Sequence, residues 1–420
     1  MEKNIVKLIY QNSFWLGITE VISKLVGFLI LIWLARYFGP ELYGKWSFAL
    51  AFVTIFSVVA DFGLSTLTVR EIARDKSKTE DYILNITFLK IILGILSLVL
   101  MALAINFIKS NDPETIKLVY FLGIYIILNT FAAFFESIFR ANEKMQYEAI
   151  CRISQSILLL ILTSLFIFKK SPILNISFAY ISGALFGTIL SFIFLLKYFF
   201  SRTKKPKINF QLCKKILLES WPFGLSTVAI FLYNYFDQTM LGIMKTNREV
   251  GLYSAAFRII FTFQVFGDIL SIAFFPQLSK KYKEKLADLK EIFSHFQKTI
   301  LICVLPLSLL LFFFAQPILF FLYGKEYIEA TTVFQILTVA MAILLFSFPF
   351  SEVLKATDRQ KTYLFGIGSG ATLNVILNFL FIPSFGMTGA AIATLISEIY
   401  VLIFMWLKVK NLWKISLKNQ

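Results

Sequence analysis

The sequence predicts an all-α integral membrane protein built from two similar halves, and three observations support this fold class. First, 58% of the 420 residues are hydrophobic and only 16% are charged, whereas soluble domains carry about 25% charged residues. Second, apolar runs of about 20 residues recur along the whole chain, and a run of that length crosses a hydrocarbon layer of about 30 Å. Third, the stretch from Ser13 to Asp61 occurs again, without a gap, 207 positions later.

The repeat is visible in two blocks of matched residues. A shift of 207 positions aligns Ser13 with Ser220, Gly17 with Gly224, Gly44 with Gly251, Trp46 with Tyr253 and Asp61 with Asp268. A later block, Arg-Ala-Asn-Glu-Lys at 140–144, matches Lys-Ala-Thr-Asp-Arg at 355–359 with a shift of 215. The repeating unit is far longer than a solenoid repeat. It is typical of membrane transporters made of two bundles.

Twelve membrane spans are predicted, six in each half. They cover 13–36, 44–68, 83–107, 117–140, 147–168, 173–198, 214–238, 250–274, 296–322, 330–354, 362–382 and 387–407. Because six is an even number, both halves enter the membrane in the same orientation. We therefore expect two six-helix bundles, 1–200 and 214–420, related as parallel repeats by a pseudo-two-fold axis, with a cytoplasmic linker at 201–213.

The orientation follows from the Lys and Arg residues in the loops. The termini and even-numbered loops carry 27 of them and the odd-numbered loops carry 9, which places both termini in the cytoplasm. The N-terminal apolar segment lacks a small-residue cleavage site, so we interpret it as a retained first span. The chain has a net charge of +16, and its Lys and Arg residues are spread over every loop on one side. That distribution indicates topology rather than nucleic-acid binding.

No metal site or cofactor is expected. Cys151, Cys213 and Cys303 are scattered, and the only histidine is His295. There is no CxxC motif or Cys/His cluster that could form a zinc site or a disulfide framework.

Charged residues inside the predicted spans are the candidate functional residues, because an ionisable group in the membrane usually faces water or a partner. We expect six of them to line a solvated central cavity: Glu20, Lys24, Asp61, Arg152, Arg258 and Asp268. Glu20 and Lys24 are four residues apart and can pair on one helix face. A polar seam between helices is the alternative. For Asp61 and Asp268 a further alternative is capping of loop amides or pairing with Arg70 or Lys280.

A second candidate lies at the cytoplasmic end of the fourth span. Glu136 and Arg140 are four residues apart there, and the matching block places Lys355 at the position equivalent to Arg140. We interpret these three residues as a conformational hinge or latch rather than a substrate contact.

Three motifs resemble one known family. They are the opening NSFW of 12–15 followed by Gly17, the block LARYFGPELYG of 34–44, and DFGL of 61–64. Together with two six-helix halves they resemble the polysaccharide-biosynthesis flippases, which translocate O-antigen repeat units. That superfamily also holds multidrug and toxin extruders and peptidoglycan-precursor flippases, so the resemblance implies a MATE-like fold over nearly the whole chain.

The resemblance implies a function. The expected cargo is a polyprenyl-pyrophosphate-linked oligosaccharide of O-antigen, capsule or exopolysaccharide, moved across the cytoplasmic (inner) membrane by alternating access. Lys24, Arg152 and Arg258 would bind its diphosphate, since Lys and Arg are the usual phosphate ligands. Glu20, Asp61 and Asp268 are candidates for coupling to H⁺ or Na⁺. Membrane lipids and the polysaccharide polymerase machinery are the other expected partners.

Other functions stay open at this point. A multidrug or toxin extruder and a peptidoglycan-precursor flippase would have the same fold. A polytopic glycosyltransferase, polymerase or ligase would be an enzyme instead, and would generally need a large outer loop with catalytic groups. The chain has neither such a loop nor a suitably placed carboxylate pair, so we do not expect an enzyme.

Overall fold

A computed structural model describes residues 2–199, 207–284 and 286–418, except for the side chains of 2–10, 226, 229, 230, 232, 283, 284, 286, 287 and 414–418. The described residues form helices joined by short turns. They divide into two compact units, of which the first holds Met1–Phe38 and Lys45–Tyr235 and the second holds Gly39–Gly44 and Phe236–Gln420. The division falls inside one helix, at Tyr235, whereas the sequence places the linker at 201–213. Residues 201–206 of that linker lie outside the described residues, and the division into two six-helix halves stays a prediction.

The helices up to residue 199 begin with a long segment that contains a break. They are α1 (Glu2–Asp61), α2 (Leu64–Arg74), α3 (Thr79–Ile108), α4 (Pro113–Ala141), α5 (Met145–Phe168) and α6 (Ile173–Phe199), with a 3₁₀ turn at Lys76–Lys78. In α1 the backbone leaves helical geometry at Gly39, with φ 69° and ψ 175°, and Pro40 follows. Proline fits the first turn of a helix, so this pair ends one helical stretch and starts the next.

The later helices are broken in a similar way. They are α7 (Phe210–Met244), α8 (Asn247–Thr262), α9 (Gln264–Glu284), α10 (Leu286–Phe313), α11 (Ala315–Tyr323), α12 (Thr331–Ala356) and α13 (Gln360–Lys418), with a 3₁₀ turn at Lys325–Ala330. Gly386 interrupts α13 with φ 55°. The carboxylate of Glu249 accepts a hydrogen bond from the backbone N–H of Met387 (2.9 Å) and so satisfies a donor exposed by this break.

Nine segments of the described residues are long and apolar enough to cross a membrane. Two of them, Gln11–Arg74 and Gln360–Trp413, each contain two of the predicted spans, and the breaks at Gly39 and Gly386 separate those spans. The predicted seventh span lies in α7, some of whose side chains are outside those described. The chain is thus an all-helical multi-pass membrane protein, while the arrangement of twelve spans in two bundles remains a prediction.

Three predicted spans have different ends in the structure. The second was expected to run through 44–68, but the left-handed residues Phe62 (φ 47°) and Gly63 (φ 77°) end it at Asp61 and start α2. The eighth is divided between α8 and α9, and the ninth between α10 and α11. Apolar content alone does not register such breaks, because the hydrophobic pattern continues across them.

Two close backbone approaches explain why particular positions are glycine. In the first unit, a Cβ atom on Gly63 would overlap the backbone of Ser220 and Gly224 in α7. In the second unit, a Cβ atom on Gly44 would overlap the carbonyl oxygen of Asn247, and one on Gly251 would overlap that of Pro40. The latter two contacts are reciprocal, because a shift of 207 converts Pro40 to Asn247 and Gly44 to Gly251.

The second repeated block forms the same helix end in each copy. After α4, Glu143 takes a left-handed conformation (φ 59°), and the N–H of Lys144 donates to the carbonyl of Phe139 (2.9 Å). After α12, Asp358 has φ 59° and the N–H of Arg359 donates to Leu354 (2.9 Å). Both are Schellman turns, which satisfy otherwise unpaired carbonyls at the end of a helix. The segments 140–144 and 355–359, which are similar in sequence at a shift of 215, are therefore also similar in backbone geometry.

Candidate functional site

A charged pocket of about 360 Å³ lies in the first unit, between α1, α4 and α5. Residues spaced three or four apart share one helix face, and this spacing directs the polar residues of each helix to the pocket. The lining consists of Ser23 from α1, of Asn129, Ala132, Ala133, Glu136 and Arg140 from α4, and of Arg152, Gln155 and Ser156 from α5. Of the predicted site residues, Arg152, Glu136 and Arg140 line it.

Arg152 is the basic residue that links α1 and α5 in this pocket. One guanidinium nitrogen lies 3.6 Å from Glu20 and another lies 3.6 Å from Glu148. Glu20 also pairs with Lys24 at 3.2 Å. The side chain of Arg152 is 36% exposed and that of Glu20 is 47% exposed. Both pairs of Arg152 are longer than a good charge-assisted hydrogen bond of about 2.8 Å, so its guanidinium is only loosely held.

The two predicted latch residues of α4 are placed differently. Arg140 pairs with Glu148 of α5 at 3.0 Å, so it joins the two helices on either side of the repeated turn. Glu136 is buried, with 5% of its surface exposed, and it lies in the pocket wall beside Arg140 and Arg152. Three bases (Lys24, Arg140, Arg152) and three acids (Glu20, Glu136, Glu148) therefore meet in or next to the pocket.

Lys355 occupies the equivalent place in the second unit. It pairs with Glu352 of its own helix at 2.9 Å and lies 4.5 Å from the centre of the Tyr363 ring. A shift of 215 converts Arg140 to Lys355 and Glu148 to Tyr363. The base thus contacts the same position in both copies, through a carboxylate in one and a cation–π contact in the other. A role as a hinge or latch stays a prediction.

Asp61 is tied to a base that lies in a neighbouring helix. Its carboxylate is 2.6 Å from the ammonium group of Lys90 in α3, and it accepts a hydrogen bond from Ser65. Lys90 is completely buried and lies 5.9 Å from the centre of the Phe134 ring. The partners considered from the sequence were Arg70 and Lys280. Arg70 instead pairs with Glu71 and Glu219.

Arg258 and Asp268 belong to the second unit. Arg258 is half-buried in α8, and its carbonyl oxygen accepts a hydrogen bond from Thr262 (2.6 Å). Asp268 is exposed in α9. Their predicted places in a shared central cavity, and the proposed coupling role of Asp268, remain predictions.

A buried carboxylate in the second unit was not singled out from the sequence. Asp237 of α7 is 3% exposed. It accepts hydrogen bonds from Tyr253 (2.8 Å), Thr394 (2.7 Å) and Asn378 (2.6 Å). Asn378 also donates to Asn374 (3.0 Å). No Lys or Arg of the described residues lies within ion-pair distance of this carboxylate, so its charge is balanced only by neutral donors.

The polarity of these residues was visible in the sequence, but their association was not. Asp237 lies near the end of the seventh predicted span, and Asn374 and Asn378 lie about one turn apart in the eleventh. The spacing of polar residues identifies the helix face that they share, but it does not identify the neighbouring helix that packs against this face. Glu148 was also missed, although its position four residues before Arg152 is a recognisable pairing signal.

Solved structures with the same fold define the class of the protein. A structure of the lipid II flippase MurJ in an inward closed conformation matches with a TM-score of 0.75 at 18% identity, over 94% of this chain and 87% of that chain. An inward-facing multidrug resistance MATE family transporter of the MOP superfamily matches with a TM-score of 0.77 at 18% identity, over 96% and 99%. The chain is a multi-pass membrane protein with the MATE-like fold.

The particular family follows from the sequence matches. The model of the polysaccharide biosynthesis protein family matches residues 9–281, and the MatE model matches 222–380. A putative O-antigen transporter of Shigella dysenteriae is 25% identical over 95% of this chain and 100% of its own length. The capsular polysaccharide biosynthesis protein CapF of Staphylococcus aureus is 24% identical over 94% and 97%. This chain belongs to the polysaccharide biosynthesis protein family, as the three sequence motifs indicated.

Proposed function

We propose that this protein is a flippase that moves a polyprenyl-pyrophosphate-linked oligosaccharide across the cytoplasmic membrane by alternating access, with both termini in the cytoplasm. The family supports this function. The names of relatives also support it. One relative is named as a putative O-antigen transporter. Another, from Haloferax volcanii, is named as a probable low-salt glycan biosynthesis flippase and is 25% identical over 92% of this chain. The cargo combines an anionic diphosphate with polar sugars, and neither crosses hydrocarbon unaided.

The observation that carries the proposal is the loosely held guanidinium of Arg152. An arginine can bind phosphate oxygens through two parallel N–H groups at about 2.8 Å. Its pairs with Glu20 and Glu148 are both 3.6 Å long, so a diphosphate would gain shorter bonds by replacing a carboxylate. The released carboxylate would keep a partner, because Glu20 also contacts Lys24 and Glu148 also contacts Arg140.

The size of the pocket restricts what it holds. A volume of about 360 Å³ is at the small end of ligand pockets, which span roughly 300–1,000 Å³. The pocket would therefore take the diphosphate and the sugar next to it, whereas the remaining sugars and the polyprenyl chain lie elsewhere. A downstream polymerase would then receive the repeat unit in the outer leaflet.

Ion coupling is a separate part of the proposal, and we place it at Asp237. A buried carboxylate bound only by hydroxyls and an amide can take up a proton, or a sodium ion together with nearby oxygen atoms. Either ion would neutralise a charge that is costly to bury. Glu20 and Asp61 are weaker candidates than Asp237, because each already contacts a base.

The proposal is tested by transport in proteoliposomes that carry lipid-linked oligosaccharide and are probed with a membrane-impermeant glycan reagent. Arg152→Ala should lower the rate at least tenfold, since a hydrogen bond to a charged group contributes about 1.5–3 kcal/mol. Arg152→Lys should retain part of the rate because the charge remains without the planar fork. Arg248→Ala is the matched control, as Arg248 is an exposed residue paired with Glu329 outside the pocket.

Equal transport by Arg152→Ala and wild type would remove the pocket from the mechanism. A multidrug extruder is the second candidate, because residues 222–380 match the MatE model. Cells that lack the gene should lose surface glycan and retain their drug tolerance. Intact surface glycan together with increased drug sensitivity would favour the extruder.

A further inference from the structure

The charged pocket has a neutral end that the binding of a diphosphate does not explain. Glu136, Arg140 and Arg152 lie towards the turn that joins α4 and α5. One to two turns further from that turn, the lining changes to Asn129 and Gln155. Seven residues of helix separate Asn129 from Glu136, which corresponds to about 10 Å. A ligand that fills the pocket therefore meets charges at one end and carboxamides at the other.

The two carboxamides are held in place by three helices. The side-chain N–H of Gln155 donates to the Asn129 side-chain oxygen (2.9 Å), and Asn129 donates to the carbonyl of Tyr125 (3.0 Å). On its other side, Gln155 lies against Gly187 of α6, where a Cβ atom would overlap the carboxamide oxygen. This fixed arrangement reduces the entropy that a flexible side chain would lose on binding.

From these contacts we infer that Asn129 and Gln155 form a subsite for the sugar joined directly to the diphosphate, an inference that rests on the proposed function. A carboxamide carries both N–H donors and carbonyl lone pairs. It is thereby suited to the hydroxyl or acetamido groups of a neutral sugar. The hydrogen bonds described above use one of the two N–H groups of each amide, and an apolar ligand would shield the second N–H group from water without offering it an acceptor.

The repeat argues against a role in packing alone. With the shift of 215, the positions of Asn129 and Gln155 become Leu344 and Gly370 in the second half. The equivalent helix pair, α12 and the first part of α13, therefore packs without a carboxamide at either place. The two amides are a feature of the half that contains the charged pocket.

The subsite is tested by the affinity of purified protein in nanodiscs for two short-chain probes, geranyl pyrophosphate and geranyl-pyrophosphate-linked N-acetylglucosamine. Wild type should bind the sugar-bearing probe about tenfold more tightly, which one or two additional hydrogen bonds would provide. Gln155→Met keeps the approximate side-chain length and removes the amide, and it should abolish this difference. Gly187→Ala should diminish it by displacing the Gln155 carboxamide.

Ser164→Ala is the control, because Ser164 lies on α5 outside the pocket lining, and it should keep the wild-type preference. If Gln155→Met and Asn129→Leu both retained the preference, the amides would be a helix seam and the subsite would be refuted. Equal binding of the two probes by wild type would also refute the subsite alone. Failure of wild type to bind either probe would overturn the proposed function together with it.

Discussion

The pair of Asp61 and Lys90 allows a structural role to be separated from ion coupling. The ammonium group of Lys90 is fully buried, and the Asp61 carboxylate, 2.6 Å away, keeps 23% of its side-chain surface exposed. Replacing Lys90 with methionine leaves the carboxylate without a base. Breaking a buried pair in this way typically costs about 3–5 kcal/mol, and we expect about 3 kcal/mol here because Asp61 is partly exposed.

The double variant Asp61→Asn with Lys90→Met should recover most of that loss. It removes both charges, and replacing a whole buried pair with neutral groups is often close to neutral in stability. The free energy of unfolding would be measured by denaturant titration in mixed micelles for wild type, both single variants and the double variant. We expect an interaction energy of about 2 kcal/mol from this double-mutant cycle.

Transport by the double variant decides the function of Asp61. If Asp61 is structural, the folded double variant should still carry cargo in response to an ion gradient. Loss of gradient-driven transport from a stably folded double variant would instead make Asp61 a coupling group. A stable Lys90→Met single variant, or a double variant as unstable as that single variant, would refute the energetic reasoning.

Three further predictions follow from single sites. Asp237→Asn should leave the protein folded and make transport independent of the H⁺ or Na⁺ gradient, measured in the same proteoliposomes under imposed gradients. Burial alone would raise the pKa of Asp112, but hydrogen bonds from Thr115 at the start of α4 hold it below its ordinary value. A group with a lowered pKa stabilises the fold above the unfolded-state pKa of about 3.9. The free energy of unfolding of wild type should therefore exceed that of Asp112→Ala by about 1 kcal/mol at neutral pH. This difference should disappear as the pH falls below about 4. Glu143→Gly should raise the free energy of unfolding by up to about 1 kcal/mol, because glycine adopts a left-handed φ without strain. Lys144 has a φ of −118°, so Lys144→Gly should lower the free energy of unfolding.

The sequence predicted the helical membrane fold because the apolar length of a segment can be read from that segment alone. It also revealed the repeated helix end at 140–144 and 355–359, where the left-handed residues Glu143 and Asp358 occupy matched positions. It did not predict the break after Asp61, since Phe62 and Gly63 continue an apolar pattern and the left-handed geometry of both residues is visible only in the structure.

The ion pairs of the candidate residues could be predicted in part, for a related reason. Glu20 and Lys24 pair as their spacing indicates, because both lie on one helix. Three other pairs join different helices at sequence separations that follow no period, namely Arg152 with Glu20, Asp61 with Lys90 and Asp237 with Asn378. Only the packing of the helices determines that Asp61 meets Lys90 and that Asp237 meets Asn378.

The reciprocal contact of Gly44 and Gly251 has a consequence for how the two copies of the repeat can diverge. Each glycine leaves room for a carbonyl oxygen contributed by the other copy, so a side chain gained in one copy collides with the other. A substitution at either position would need a compensating displacement more than 200 residues away in the chain. The two positions therefore act as a single steric constraint, although they belong to different copies of the repeat.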